Sequence, residues 1–379
     1  MRVPAVQPIY LIACITLLVQ GAHIGSRVVA SLLALDLGAT PFTIGVLIAL
    51  YSVFPLLLGV YSGRVSDRYG PRRPITAGIV LMVAGLVLPI VWPTLTLLFL
   101  SAVLIGIGFV FFNVSVQNLG GGLGTPAERT RNFATLGLGY AGGHLAGPVT
   151  AGYAIDYFGY VYGYAALTAF ALIALPLVAF DRRFDLIRAA AEAKRRSVVD
   201  LLAAPMLRRT IIVSGLVTTG WDLFGFYVPI YGHSIGLSAS TIGNILGTFA
   251  VATFVVRVLL PAFTRRYRIE RVLASATFSA AALFVLFPLV QYVPLLFLLA
   301  FGIGLGLGCS QPLTLNLAYN HSPPGRSGEV TGLRLTINNI THIGVPVAAG
   351  GLAAFGVAPV FWTSAALLVT SGYLTRKAR

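Results

Sequence analysis

The feature that most limits what this chain can become is a succession of apolar stretches. Each is about as long as the roughly 20 residues a helix needs to cross a bilayer core. Short breaks at Gly, Pro or charge place spans near 9–35, 41–62, 74–92, 95–118, 132–155 and 160–180, then 208–231, 239–263, 272–290, 293–318, 328–352 and 357–375. Hydrophobic residues make up 57% of the 379 and charged residues only 10%, so water cannot be the main solvent. In lipid each backbone polar group must be satisfied internally, which selects helices for runs of this length. The expectation is an all-α integral membrane protein with twelve transmembrane helices. The first run is too long for a signal-peptide core and lacks a clear small-residue cleavage site, so it is read as a retained span. Cys14 and Cys309 both fall inside apolar runs and are read as packing residues, with no disulfide, metal or cofactor implied.

A net charge of +15 would suit a nucleic-acid binder, but the placement of the cations argues against that partner. Apart from Arg27, Arg257 and Arg334 within spans, every Lys and Arg lies at a terminus or in, or at the edge of, a connection after an even-numbered span. The positive-inside rule then puts both termini in the cytoplasm. Lys194 and Lys377 are the only lysines among 26 basic residues; this arginine bias suits a GC-rich bacterial genome and hence a bacterial inner membrane. The longest connection, 181–207, is charged and reads as an amphipathic cytoplasmic linker.

Sliding the sequence along itself gives matches at one offset, 198 residues, starting with Gly38/Gly236, Thr43/Thr241, Ile44/Ile242 and Gly45/Gly243. The register continues without gaps through Arg68/Arg266, Tyr69/Tyr267, Gly106/Gly304, Gly108/Gly306, Asn118/Asn316, His144/His342, Pro148/Pro346 and Gly152/Gly350. Apolar composition could supply the Gly matches but not the paired Asn, His and Arg. The repeat implies two pseudo-symmetric six-helix bundles, 1–180 and 208–379, in the same orientation, with a midplane site between them.

The connection after the second span reads Gly63, Arg64, Val65, Ser66, Asp67, Arg68, Tyr69, Gly70, Pro71, Arg72, Arg73. It resembles the Gly-x-Leu-x-Asp-Arg-x-Gly-Arg-Arg loop of the major facilitator superfamily. The resemblance implies that fold and a conformational latch formed by Gly63, Asp67, Arg68, Gly70, Arg72 and Arg73. The aspartate would lie near the start of the eleventh helix and pair with arginine in the outward-facing state. The second half has Pro261, Arg265, Arg268 and Glu270 where the first has Gly63, Asp67, Gly70 and Arg72, so the latch is expected on one side only. Gly143, Gly147, Pro148 and Gly152 resemble the family's Gly-x-x-x-Gly-Pro motif, linked with antiporters; small residues there also permit close helix packing. The arginine usual in the fourth span is absent, since Ala102 precedes Gly106 and Gly108.

Polar groups inside spans are costly and mark candidate sites. Span 1 carries Gln20, His23 and Arg27; span 7, Trp221 and Asp222; span 11, Arg334, Asn338 and His342, which at spacings of four share one helix face. Asn113, Gln117, Tyr140, His144, Gln311 and Asn316 complete the outline of a polar cavity. His23, Arg27, Asn113, Tyr140, Trp221, Gln311, Arg334, Asn338 and His342 are expected to bind substrate. Asp222, as the one midplane carboxylate, either carries a proton or partners Arg27 or another arginine. His144 and His342 are repeat-related, which favours a shared packing and hydrogen-bonding role.

The reading is a secondary transporter that moves a small organic solute by alternating access, and neither an enzyme nor an ATP-driven pump: no Walker loop, His-Glu-x-x-His or Gly-x-Ser-x-Gly motif is present. Two central arginines favour an anionic or zwitterionic solute with proton coupling, in a chain working as a monomer. Trp221, Phe224, Phe226 and Tyr227 equally support export of amphipathic, drug-like compounds. Ligation of a metal by His23, His144, His342 and Asp222 fits no tight motif, and a receptor with a transporter fold is the alternative from another class.

Overall fold

The computed structural model describes residues 8–122, 126–179, 199–323 and 327–376. Among these there is no strand. The long helices are α1 (Pro8–Asp36), α2 (Pro41–Tyr69), α3 (Arg72–Val91), α4 (Leu95–Gly122), α5 (Pro126–Phe158), α6 (Tyr160–Ala179), α7 (Pro205–Ser234), α8 (Ala239–Arg266), α9 (Ile269–Leu286), α10 (Val293–Gly308), α11 (Ser310–Asn320), α12 (Ser327–Leu352) and α13 (Val357–Arg376). α10 and α11 are one expected span, broken at Cys309. Among the described residues ten spans are long and apolar enough to cross a membrane, with α10 and α11 counted together. α5 and α12 fall outside that set, and they carry many of the polar residues of the candidate site.

The expected linker is shorter at its far end than the charge pattern implied. Val199–Ala203 forms a 3-10 turn and α7 already starts at Pro205, a favoured residue at a helix start. The cause is apolar packing: Leu201 and Leu207 are buried with Ile211, Ala318 and Val330. The rest of the linker, 180–198, lies outside the described residues.

The chain forms two compact units. One comprises Met1–Ala39, Leu50–Ala193 and Ser238–Gly247; the other comprises Thr40–Ala49, Lys194–Leu237 and Thr248–Arg379. The first turns of α2 and of α8 thus each belong to a different unit from the remainder of the helix.

Within each unit the repeat is visible as geometry. α1 and α7 both end in a glycine in the left-handed region, Gly38 (φ 78°) and Gly236 (φ 75°), where a side chain would be strained. Two residues later Thr40 and Ser238 cap the following helices: the hydroxyl oxygens accept from the N–H of Thr43 and of Thr241, each at 3.2 Å. Close crossings repeat as well. A Cβ on Gly106 would press on the Tyr51 carbonyl and one on Gly304 on the Phe249 carbonyl; Gly108 meets Gly78 as Gly306 meets Ala276. Each position in the second pair of contacts is 198 beyond its counterpart in the first.

Candidate functional site

In the second unit, α7 and α12 face each other with two polar stripes in register. Ser214, Thr218 and Asp222 recur every four residues on α7, and Arg334, Asn338 and His342 on α12. The Arg334 guanidinium donates to Ser214 Oγ at 3.2 Å, and Ser214 Oγ donates to Asn338 Oδ1 at 3.2 Å. Two turns along α7, Asp222 Oδ2 lies 2.5 Å from His342 Nδ1. Asp222 is 6% exposed, Asn338 7% and Arg334 8%. Such buried polar groups persist only where partners satisfy them. Asp222 therefore has as a partner an imidazole from α12, which the sequence reading, with a proton carrier and an arginine partner as its two alternatives, did not name. His342, expected to share a role with its repeat mate, instead has a carboxylate of its own.

The α10–α11 break adjoins this stripe. An α-helical carbonyl normally accepts from the N–H four residues on, and four residues beyond Gly308 stands Pro312, which has none. Arg257 of α8 supplies a donor in its place, Nε to Gly308 O at 3.3 Å. Arg257, an arginine that the sequence places inside a span, thus serves a backbone carbonyl. Trp221 Nε1 donates to the neighbouring Leu307 carbonyl at 3.2 Å. Gln311, half-buried, opens α11 beside the break.

In the first unit His23 is stacked on Phe109 (ring centroids 3.9 Å apart) and meets Tyr51 edge-on (5.7 Å). Trp221 and Phe249, each 198 beyond His23 and Tyr51, repeat the edge contact at 4.8 Å. This triad of positions, 23, 51 and 109 against 221, 249 and 307, holds the same places in both units. The sequence marked only His23 and Trp221, because the others read as ordinary apolar residues. Arg27 is half-buried one turn along α1 from His23. Tyr140 donates to Asn113 Oδ1, Gln117 Nε2 donates to the same oxygen at 3.2 Å, and Gln20 Nε2 lies 3.1 Å from His144 Nε2.

The glycine motif of α5 lies in a helix–helix contact. Gly143 and Gly147 press on α1 at Leu17, Gln20, Gly21 and Gly25, while Pro148 and Gly152 meet Gly243 and Ala239 at the start of α8. In the loop after α2, Gly70 is in the left-handed region (φ 77°). Asp67, Arg68 and Arg73 are exposed and Gly63 is half-buried. Arg68 lies over the ring of Tyr69 at 5.3 Å, as Arg266 lies over Tyr267 at 5.7 Å. Arg72 donates to the Ala179 carbonyl at the end of α6, where a cation suits the helix dipole. The expected partner of Asp67 near the start of α12 involves side chains, 324–329, outside the described residues.

Internal repeats and polar groups inside membrane helices are features of many transporter folds. The chain matches the model of the Major Facilitator Superfamily over residues 10–346, and it belongs to that family. Multidrug resistance protein MdtG of Dickeya zeae is 24% identical over 87% of this chain and 82% of its own. Multidrug resistance protein MdtH of Cronobacter sakazakii is 31% identical, but the match spans 35% of this chain and only 33% of that one. Among solved structures, a POT family transporter in complex with 5-aminolevulinic acid superposes with a TM-score of 0.82 at 14% identity, covering 98% of this chain and 96% of that one. A mutant of the nucleoside transporter NupG gives 0.78 at 14%, covering 98% and 99%. At these identities the structures establish the shared fold. The protein is a multi-pass membrane transporter of that family and not an enzyme.

Proposed function

We propose that the protein is a proton-coupled secondary transporter of a small organic solute, working by alternating access, with the Asp222–His342 pair as its proton carrier. The observation that carries this reading is the buried carboxylate 2.5 Å from an imidazole on a neighbouring membrane helix. The pair can hold one negative charge, with a neutral imidazole donating to the carboxylate, or none, after taking up a proton. A change of one charge in a buried place is what can bias two conformations differently. The two halves of the repeat, up to residue 180 and from Pro205 onward, serve as the two moving bundles joined by the linker, with both termini in the cytoplasm. Both halves of the repeat lie in one chain, so a monomer has the full set.

Arg27 and Arg334 favour an anionic or zwitterionic solute, since guanidinium offers a forked set of donors. His23, Asn113, Tyr140, Trp221, Gln311 and Asn338 would shape its cavity. A second reading, export of amphipathic drug-like compounds, is favoured by the similarity to MdtG along most of the chain. Trp221, partly exposed and edge-on to the buried Phe249, gives it an aromatic group.

The test is flux in proteoliposomes with an imposed pH gradient, using panels of organic acids, zwitterions and cationic amphiphiles. Asp222→Asn is expected to abolish pH-driven accumulation while solute exchange across the membrane continues. Accumulation by the Asn variant at the wild-type level would remove the pair from the mechanism, and the responding panel decides between the two solute classes.

A further inference from the structure

Two helix crossings in this chain are copies of one another, yet only one carries a charge. In the second unit the start of α2 lies on α12: a Cβ on Gly45 would strike the Pro346 carbonyl, and one on Gly350 would lie 2.5 Å from the Pro41 carbonyl oxygen. In the first unit the start of α8 lies on α5 through equivalent positions, Gly243 against Pro148 and Gly152 against Ala239. There Asp156 adds a contact. Its Oδ1 accepts from the Ala239 N–H at 2.9 Å and its Oδ2 from the Ser240 N–H at 2.8 Å. These are the first two residues of α8, whose N–H groups have no acceptor within their own helix. The carboxylate also sits at the positive end of the helix dipole. One turn on, Asn244 Nδ2 donates to the Tyr153 hydroxyl at 3.1 Å. The α2–α12 crossing cannot copy this bond: Ala354 stands at the position of Asp156, and at the position of Ala239 stands Pro41, which has no N–H.

We propose that Asp156 is a one-sided latch, which holds the start of α8 on α5 and leaves the sister crossing of α2 on α12 the looser of the two. α8 passes into the second unit at Thr248, so the latch fixes the segment at which this helix changes units. If the chain transports as proposed, the two crossings part with unequal ease, and the uncharged one parts first.

Hydrogen–deuterium exchange on the purified full-length protein tests the latch without any solute, so its outcome is independent of the transport reading. In the wild type, peptides covering 238–247 should exchange more slowly than those covering 42–49, once intrinsic rates are corrected. Asp156→Ala should speed exchange at 238–247 by roughly three- to thirtyfold, the range set by loss of a helix N-cap, and leave 42–49 unchanged. Asp156→Asn keeps the side-chain volume and one acceptor oxygen, and should fall between. Equal rates for the two segments in the wild type would overturn the latch, as would unchanged exchange at 238–247 in Asp156→Ala. Should the Ala variant lose protection throughout, Asp156→Asn decides: a local rise at 238–247 supports the latch and no rise refutes it.

Discussion

At the scale of single residues, the chemistry turns on whether a charged group has fixed donors. Asp156 lies just beyond the expected span of α5, where burial pushes its pKa up but hydrogen bonds from Ser240, Ala239 and Ser238 more than offset that push. The net result is a carboxyl held below its ordinary value. The sign follows. A group whose folded pKa is depressed contributes fully above its free value, about 3.9 for aspartate, and the contribution fades as pH falls through the lowered folded value. Facing groups are Tyr153 and Tyr157 on α5 itself, the hydroxyls of Ser238 and Ser240 from α8, and Tyr160 of α6, on which both Asp36 and Asp156 act electrostatically. Exchange protection at 238–247 should therefore be flat from neutral pH down to about 5 and fall below about 4. Asp156→Asn should remove that fall, and Asp36→Asn should leave it. Loss of protection between pH 6 and 8, or an acid response surviving in the Asp156 variant, would show that another group sets it.

At the scale of elements, the break between α10 and α11 tests the accounting of backbone hydrogen bonds. Pro312 removes the donor that the Gly308 carbonyl would use, and Arg257 replaces it across a helix interface. Arg257→Met keeps the stem and removes the donor, so it should cost about 1–3 kcal/mol of stability, the range for a buried polar group left unsatisfied. Pro312→Ala returns an N–H at the right place, so the Arg257→Met cost in that background should fall by about half or more. Thermal or denaturant unfolding of the four proteins of this cycle measures it, and strictly additive costs would contradict the exchange of donors. The same break shows where sequence reading stops. The apolar run 293–318 continues through Cys309, so length and hydropathy read one helix, and the signal lay in Pro312 following Gly304, Gly306 and Gly308. By contrast, the repeat match of Gly38 with Gly236 and the stripe of Arg334, Asn338 and His342 were legible, because spacing along the chain dictates them. Asp222 and His342 were each legible as intramembrane polar residues but not as a pair, since spacing along one helix fixes a face and not what faces it 120 residues away. Tyr51, Phe109 and Phe249 were missed because a packed aromatic in a membrane helix has the composition of its surroundings.

At the scale of the whole molecule, a transporter needs two arrangements of similar free energy, and any contact present in only one of them sets their ratio. Asp67 is the residue to which the family resemblance assigns such a contact. It is exposed near the end of α2, and its counterpart in the second half is Arg265, so the second half has a cation where the first has a carboxylate. An exposed ion pair contributes about 0–1 kcal/mol, which is small against folding but enough to change a near-balanced ratio up to about fivefold. Asp67→Asn should accordingly leave expression, insertion and thermal stability close to the wild type while slowing solute flux. It should also shift the labelling of single cysteines placed along α2 and α8 from both sides of the membrane, because one arrangement becomes rarer. Asp67→Glu retains the charge and should restore part of the flux. Normal flux with an unchanged labelling pattern in Asp67→Asn would show that this carboxylate does not distinguish the two arrangements. The loop would then serve orientation alone, through the excess of arginine that the positive-inside rule already explains.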